Sequence, residues 1–143
     1  MDFGTIGNQF AVSGLAVLAS IVIHGLIIIM LREFARVGQR RGGLLSDIVD
    51  VIKLCVVGLG LIIAHTGSVL VWALIFMETS VSGGLEQALY FGLTTYTTLG
   101  FGDVLAPQPW RLLPGFASLN GLLMFGLSAA VLVDAAARLR RQR

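Results

Sequence analysis

Hydrophobic positions in this chain are gathered into three long blocks. Residues 10–31 contain only three polar side chains, and residues 54–77 and 112–133 contain no Asp, Glu, Lys or Arg. Each block is long enough to cross a hydrocarbon core of about 30 Å as a helix. The pattern therefore predicts an all-α membrane protein with three transmembrane helices.

Polar stretches separate these blocks and set the expected boundaries. Apolar residues between positions 44 and 52 recur near helical spacing, which indicates that the second helix begins early and lies partly in the membrane interface. The predicted order is an N-terminal segment (1–9), a first transmembrane helix (10–31), a polar connection (32–50), a second helix (51–77), a loop region (78–111), a third helix (112–137) and a basic tail (138–143).

A shorter apolar segment, from Leu85 to about Thr97, cannot cross the bilayer and is predicted to be a re-entrant helix. It leads into residues 94–103, a run of hydroxyls with two glycines and one carboxylate. Glycines let the backbone alternate between left- and right-handed conformations, so that consecutive carbonyl groups point the same way. Such a row of carbonyls, with the Thr98 hydroxyl below it, can replace the hydration shell of a monovalent cation. Irregular backbone at membrane depth must be buried in protein or line water, so this segment requires a surrounding assembly.

Composition agrees with a lipid environment. The apolar fraction is 56% and the charged fraction 13%, against roughly 45–50% and 25% in soluble domains. The net charge is +2, but the basic residues cluster at the ends of the apolar blocks, so we expect no nucleic acid as a partner. The single cysteine, Cys55, excludes an intrachain disulfide. No span or loop gathers an acid, a base and a nucleophile, so we do not expect an enzyme.

The distribution of positive charge predicts an orientation. Of the ten Lys and Arg residues, only Arg111 lies outside the polar connection, the base of the second helix and the tail. The positive-inside rule places these regions in the cytoplasm of a plasma-membrane protein and the N-terminus outside. We expect no secretory signal peptide, because no Lys or Arg precedes the first block, and no voltage sensor, because no span carries Arg at every third position.

The hexapeptide at residues 98–103, Thr-Leu-Gly-Phe-Gly-Asp, resembles the potassium-channel signature Thr-Val-Gly-Tyr-Gly-Asp. Residues 88–91, Ala-Leu-Tyr-Phe, fall where bacterial two-helix potassium channels carry Ala-Leu-Trp-Trp in the pore helix. Trp110 falls where those channels have a tryptophan at the start of the inner helix. The resemblance covers about residues 51–138, and the first helix is an addition to the two-helix pore.

The resemblance implies a potassium-selective channel that conducts K⁺ passively as a homotetramer, each chain joining three identical subunits in the bilayer. It implies K⁺ ions in the filter and no organic cofactor. Two departures from the signature leave a weakly selective Na⁺/K⁺ channel as an alternative: Phe101 lacks the tyrosine hydroxyl, and Leu99 alters packing behind the carbonyls. A non-conducting scaffold or regulatory subunit is a third possibility. The implied filter residues are Thr98, Leu99, Gly100, Phe101 and Gly102, and the implied pore-helix residues are Tyr90, Phe91 and Thr94.

Asp103 ends the motif at the outer mouth, where its charge would concentrate cations. Some relatives pair this aspartate with a pore-helix glutamate, but the corresponding residue here is Thr94, so no carboxyl pair is expected. The competing interpretation of Asp103 is a hydrogen bond to a nearby donor such as Trp110.

The third helix carries further candidates for the inner pore and gate. Gly121 and Gly126 are candidates for bending or for close packing; Gly121 falls one residue before the hinge glycine of relatives, which favours packing. Residues 123, 127, 130 and 134 share one helical stripe, which includes Ala130 and Asp134. Asp134 therefore either joins a ring of four carboxylates at the cytoplasmic entrance or forms an i, i+4 ion pair with Arg138.

Two histidines and one tryptophan within the spans also attract attention. His24 and His65 are either functional ionisable groups or neutral side chains hydrogen-bonded to neighbours, Thr66 and Ser68 lying close to His65 in sequence. Trp72, near the far end of the second span, is predicted to lie in an aromatic belt at the headgroup boundary.

Overall fold

The computed structural model describes residues 3–36, 43–79 and 83–141. Residues 37–42 of the predicted polar connection and residues 142–143 of the predicted basic tail lie outside these ranges.

The described chain is 86% helix and contains no strand in those ranges, which confirms the all-α fold. Four helices follow one another: α1 is Phe3–Arg36, α2 is Leu44–Glu78, α3 is Leu85–Tyr96 and α4 is Leu113–Arg141. A 3-10 turn, Gln108–Trp110, precedes α4. Three of the described helices, α1, α2 and α4, are long and apolar enough to cross a membrane.

The helices extend beyond the apolar blocks that predicted them. Helix α1 begins at Phe3 and ends at Arg36, whereas the predicted span covers 10–31. Arg, Glu and Gln are good helix formers, so a helix continues through polar residues that would not enter lipid. The early start of the second helix at Leu44 is confirmed. Pro114 lies in the first turn of α4, where its missing N–H is not needed by the helix.

Helix α3 is held between α2 and α4 by a buried apolar cluster at one end of the bundle. Trp72 and Phe76 of α2 are fully buried there, with ring centroids 5.9 Å apart, and Phe76 meets Phe91 of α3 edge-on at 4.8 Å. The predicted place of Trp72 in an aromatic belt is therefore wrong, because its side chain packs inside the subunit. A smaller cluster formed by Ile28, Val57 and Leu61 joins α1 to α2.

Helix α1 contacts the other helices through a stripe of polar residues. Gln9, Ser13, Ser20 and His24 are all buried, and their spacing of four and seven residues places them on one face. Many large apolar side chains on the other faces of the helices are exposed in the single chain. Apolar surface of this extent is typical of a protein in contact with lipid or with other protein.

Candidate functional site

Two glycines allow α3 to approach its neighbours closely. A Cβ at Gly92 would lie 3.3 Å from the carbonyl oxygen of Val69 in α2. A Cβ at Gly121 in α4 would overlap the carbonyl oxygen of Tyr96, the last residue of α3. The packing interpretation of Gly121 is thus confirmed, and any larger residue there would displace the end of α3.

A hydrogen bond also joins α3 to α4. The Ser118 hydroxyl of α4 donates to the carbonyl oxygen of Thr95 over 2.8 Å. The same carbonyl accepts the backbone N–H of Thr98 at 2.9 Å. The carbonyl oxygen of Thr95 therefore connects the end of α3 and the first residue of the hexapeptide to α4.

The backbone after α3 has a positive φ at every second residue. Thr98 has φ 61°, Gly100 has φ 53° and Gly102 has φ 79°. Thr98 is the only non-glycine residue with a positive φ among the described residues. Such a conformation costs a non-glycine residue of order 1–3 kcal/mol and persists only where the surroundings enforce it. The alternation is the conformation that the glycine spacing predicts for this segment.

Few contacts within the chain hold this segment. The N–H of Gly100 donates to the carbonyl oxygen of Thr94 at 3.0 Å, which folds the segment back against α3. The residues from Thr98 to Asp103 are all exposed in the single chain, including Leu99 at 58% and Phe101 at 65%. At membrane depth, a segment with this exposure would have to be covered by further protein or line water.

Asp103 is hydrogen-bonded to Tyr90 of α3, and none of the described contacts joins it to Trp110. The Tyr90 hydroxyl donates to Asp103 Oδ2 over 2.7 Å, and the N–H of Val104 donates to Oδ1 over 3.1 Å. The hydrogen bond to this carboxylate raises the pKa of Tyr90 above its ordinary value of 10.0, because it stabilises the protonated hydroxyl that donates it. The expectation that Asp103 meets a nearby donor is confirmed, but the expected donor was wrong. The Tyr90 side chain is exposed on α3, and its hydroxyl reaches the last residue of the hexapeptide directly.

The other pore-helix candidates have structural contacts. Phe91 is buried against Phe76 of α2. The Thr94 hydroxyl donates to the carbonyl oxygen of Phe91 at 3.1 Å within its own helix, and its backbone carbonyl receives the N–H of Gly100. Thr94 thus supports the hexapeptide through its backbone.

On α4, the predicted stripe is exposed in the single chain. Leu123, Leu127, Ala130 and Asp134 all lie outside the buried face, so they are available to a pore or to other subunits. Asp134 Oδ2 accepts a hydrogen bond from Arg138 Nε at 2.9 Å, which confirms the i, i+4 ion pair. Gly126 is exposed, and a Cβ there would meet no atom within 4 Å.

The two histidines lie together behind the end of α3. Their ring centroids are 4.7 Å apart, His24 on α1 and His65 on α2. His65 is hydrogen-bonded to Tyr96 and Ser128. The two hydroxyl residues that lie close to it in sequence, Thr66 and Ser68, bond to other groups. Ser68 Oγ lies 3.5 Å from His24 Nδ1 and donates to the carbonyl oxygen of Ala64, and the Thr66 hydroxyl donates to the carbonyl oxygen of Ile62 in its own helix.

Sequence reasoning did not identify Gly92, Ser118 or Ser128 as parts of this region, and it gave Tyr96 no role of its own. Ser118 and Ser128 are hydroxyl residues within an apolar block, and such residues usually meet a partner across a helix interface. Among the described residues, no three His, Cys, Asp or Glu side chains come together as metal ligands.

A family model described as an ion channel matches residues 59–138 of the chain. The matched region contains α3, the hexapeptide and most of α2 and α4. Neither the curated proteins nor the solved structures gave a match.

Proposed function

The chain belongs to the ion channel family, whose model covers more than half of it, and from that premise we propose that it is a K⁺-selective channel of the plasma membrane. The observation that carries the proposal is the alternation of positive φ at Thr98, Gly100 and Gly102 within the hexapeptide. In such a strand, carbonyl oxygens line a narrow path and replace the water around a dehydrated K⁺ ion. The ion is the transported substrate, and the protein contributes the fixed dipoles.

A homotetramer is part of this proposal. One chain supplies one strand of oxygens, and the strand from Thr98 to Asp103 is exposed when the chain is alone. A closed ring of identical subunits would cover these residues and surround the path on all sides. The exposed stripe on α4 would then line the path below the filter.

The proposed orientation has the N-terminus and the hexapeptide outside and the end of α4 inside. It rests on the positive-inside rule and on the resemblance to potassium channels, whose filter enters from outside. Cysteine labelling tests it: a reagent confined to the outside should modify a cysteine introduced at Gly7 and not one introduced at Arg141, in a Cys55→Ser background. The reverse pattern would contradict an outward-facing Asp103.

Flux from purified protein in liposomes tests conduction. We expect K⁺ efflux that Ba²⁺ inhibits and that is much slower when Na⁺ replaces K⁺. Equal flux of the two ions would favour the weakly selective Na⁺/K⁺ channel. This alternative is considered because Phe101 lacks the tyrosine hydroxyl and the Leu99 side chain is exposed. No flux of either ion from an assembled oligomer would favour a non-conducting scaffold.

A further inference from the structure

His65 lies where all four helices meet. It belongs to α2, and its ring stacks on Phe125 of α4 with centroids 4.4 Å apart. The ring of His24 from α1 approaches it edge-to-face at 4.7 Å. Its Nδ1 lies 3.1 Å from the hydroxyl of Tyr96 at the end of α3, and its Nε2 lies 2.9 Å from the hydroxyl of Ser128 on α4. Both ring nitrogens are therefore engaged with helices other than its own.

The imidazole is suited to join these two hydroxyls. A neutral ring has one donor and one acceptor nitrogen, so it accepts from one hydroxyl and donates to the other in either tautomer. Tyr96 is fully buried and Ser128 nearly so, and a buried hydroxyl without a partner is unfavourable. The stacked Phe125 and the adjacent His24 fix the plane of the ring. The result is a continuous link from α3 through α2 to α4.

The link ends next to the backbone that begins the hexapeptide. Tyr96 is the last residue of α3, and its carbonyl oxygen packs on Gly121 of α4. Thr98, with its positive φ, follows two residues later. A rotation or shift of the Tyr96 side chain therefore moves the same residue whose backbone sets the start of the hexapeptide.

We propose that His65 is a positioning residue of the filter: it holds Tyr96 at the end of α3 in a fixed relation to Ser128 on α4, and so sets the geometry at Thr98. This inference rests on the proposed function for its effect on selectivity, while the link itself is a property of the fold. It also gives α1 a part in the filter, because His24 closes one side of the pocket that holds the His65 ring.

Reversal potentials measured in planar bilayers with purified protein test the inference. Tyr96→Phe removes one oxygen atom from the link, and His65→Leu removes both of its hydrogen bonds. Because each variant removes a hydrogen bond that holds the end of α3, we expect each to lower the K⁺ over Na⁺ permeability ratio by about threefold to tenfold. The double variant should lose no more than His65→Leu alone, since both changes break one link.

Two further variants separate positioning from general packing. His65→Gln keeps an acceptor and a donor and should restore most of the ratio. Thr66→Val is the matched control, because the Thr66 hydroxyl is exposed and bonds only to the carbonyl of Ile62 in its own helix. Wild-type selectivity in both Tyr96→Phe and His65→Leu, or full additivity in the double variant, would overturn the inference.

A measurement that does not depend on conduction separates failure of this inference from failure of the proposed function. In protein labelled with ¹⁵N-histidine, Tyr96→Phe should shift the Nδ1 resonance of His65 and leave the resonances of His24 almost unchanged. An unmoved His65 resonance would overturn the link. If the His65 resonance shifts in Tyr96→Phe but the wild-type protein carries no K⁺ current, the proposed function is overturned and the link is supported.

Discussion

Gly100 and Gly102 have φ angles of 53° and 79°, and a Cβ built on either meets no atom of the chain within 4 Å. Space within the subunit therefore does not require glycine there, but backbone conformation does. A side chain in the left-handed region costs roughly 1–2 kcal/mol, and a tetramer would incur this cost four times around one path. These glycines are thus the most direct test of the filter assignment.

We predict that Gly100→Ala and Gly102→Ala each abolish K⁺ flux or its preference over Na⁺. The expected cause is a shift of the strand away from the positive φ, which reorients the carbonyl groups. Gly58→Ala is the matched control: a Cβ there also meets no atom within 4 Å, but Gly58 lies within α2 and has no positive φ. Selective flux in both filter variants would remove the filter assignment.

The bond between Tyr90 and Asp103 ties α3 to the outer end of the hexapeptide. Tyr90→Phe leaves Asp103 with the N–H of Val104 as its remaining partner among the described contacts. We predict that this variant lowers the temperature at which K⁺-bound oligomer dissociates, because the outer end of the segment loses a charge-assisted bond. Tyr90→Trp should lie closer to wild type, since an indole N–H can also donate.

The same bond predicts a direction of pH dependence. Because the pKa of Tyr90 is raised above 10.0, the hydroxyl stays protonated and donates its hydrogen bond at all pH values below the pKa of a free tyrosine. The stability contributed by the bond is fully present below about pH 10 and is lost as pH rises through the raised pKa. Oligomer dissociation that differs between wild type and Tyr90→Phe at pH 7 but not at strongly alkaline pH would match this assignment. No difference at pH 7 would contradict it.

Among the helices, α1 is joined to the pore region by hydrogen bonds as well as by apolar contact. Asn120 Nδ2 of α4 donates to Ser20 Oγ at 2.8 Å, and Ser20 Oγ in turn donates to the carbonyl oxygen of Ala16. Near the other end of the stripe, Gln9 Oε1 accepts the N–H of Leu112, just before α4 begins. Helix α1 therefore satisfies polar groups of α4 that lipid could not.

We predict that Ser20→Ala lowers the free energy of unfolding by about 0.5–2 kcal/mol, measured in a detergent of fixed composition. The reason is that Asn120, which is 1% exposed, loses the partner of its amide. Ser13→Ala is the matched control, since the buried Ser13 Oγ has no hydrogen-bond partner among the described residues and its removal should be close to neutral. A larger loss in Ser13→Ala than in Ser20→Ala would contradict this view of the stripe.

The helices themselves could be predicted from the sequence because hydropathy and length report directly on them. The sequence predicts a short helix from Leu85 to about Thr97, and α3 is Leu85–Tyr96. Pairing between helices could not be predicted in the same way. Helical periodicity indicates that Ser20 and His24 share a face, but not that the face meets Asn120, 100 residues away from Ser20. The Tyr96 hydroxyl likewise finds His65 across a separation of 31 residues that no local pattern encodes.

For the assembled molecule, the arrangement of exposed surfaces matters more than any contact within one chain. The hexapeptide and the stripe of Leu123, Leu127, Ala130 and Asp134 are both exposed in the single chain. If four copies close around an axis, these two surfaces are the ones that meet the conduction path, the first at the outer end and the second toward the cytoplasm. The side chain of Asp134 would then be repeated four times around the inner entrance.

The ion pair between Asp134 and Arg138 does not exclude such a ring. Both side chains are largely exposed, at 48% and 60%, and an exposed i, i+4 pair contributes only about 0.3–0.5 kcal/mol. An interaction this weak leaves the carboxylate able to attract cations to the entrance. The two roles differ in their dependence on salt. Screening of a carboxylate ring changes the K⁺ conductance, whereas screening of the ion pair changes only the small stability that the pair contributes.

We predict that Asp134→Asn lowers outward single-channel K⁺ conductance clearly in dilute K⁺ and much less in concentrated K⁺. Four carboxylates raise the local K⁺ concentration most at low ionic strength, where the Debye length is about 30 Å at 0.01 M and falls to about 3 Å at 1 M. Arg138→Gln is the matched control: it breaks the ion pair but keeps the carboxylate, so conductance in dilute K⁺ should not fall. If Asp134→Asn still assembles and conducts like wild type in dilute K⁺, the carboxylate serves only the ion pair, and the inner entrance draws its cations without it.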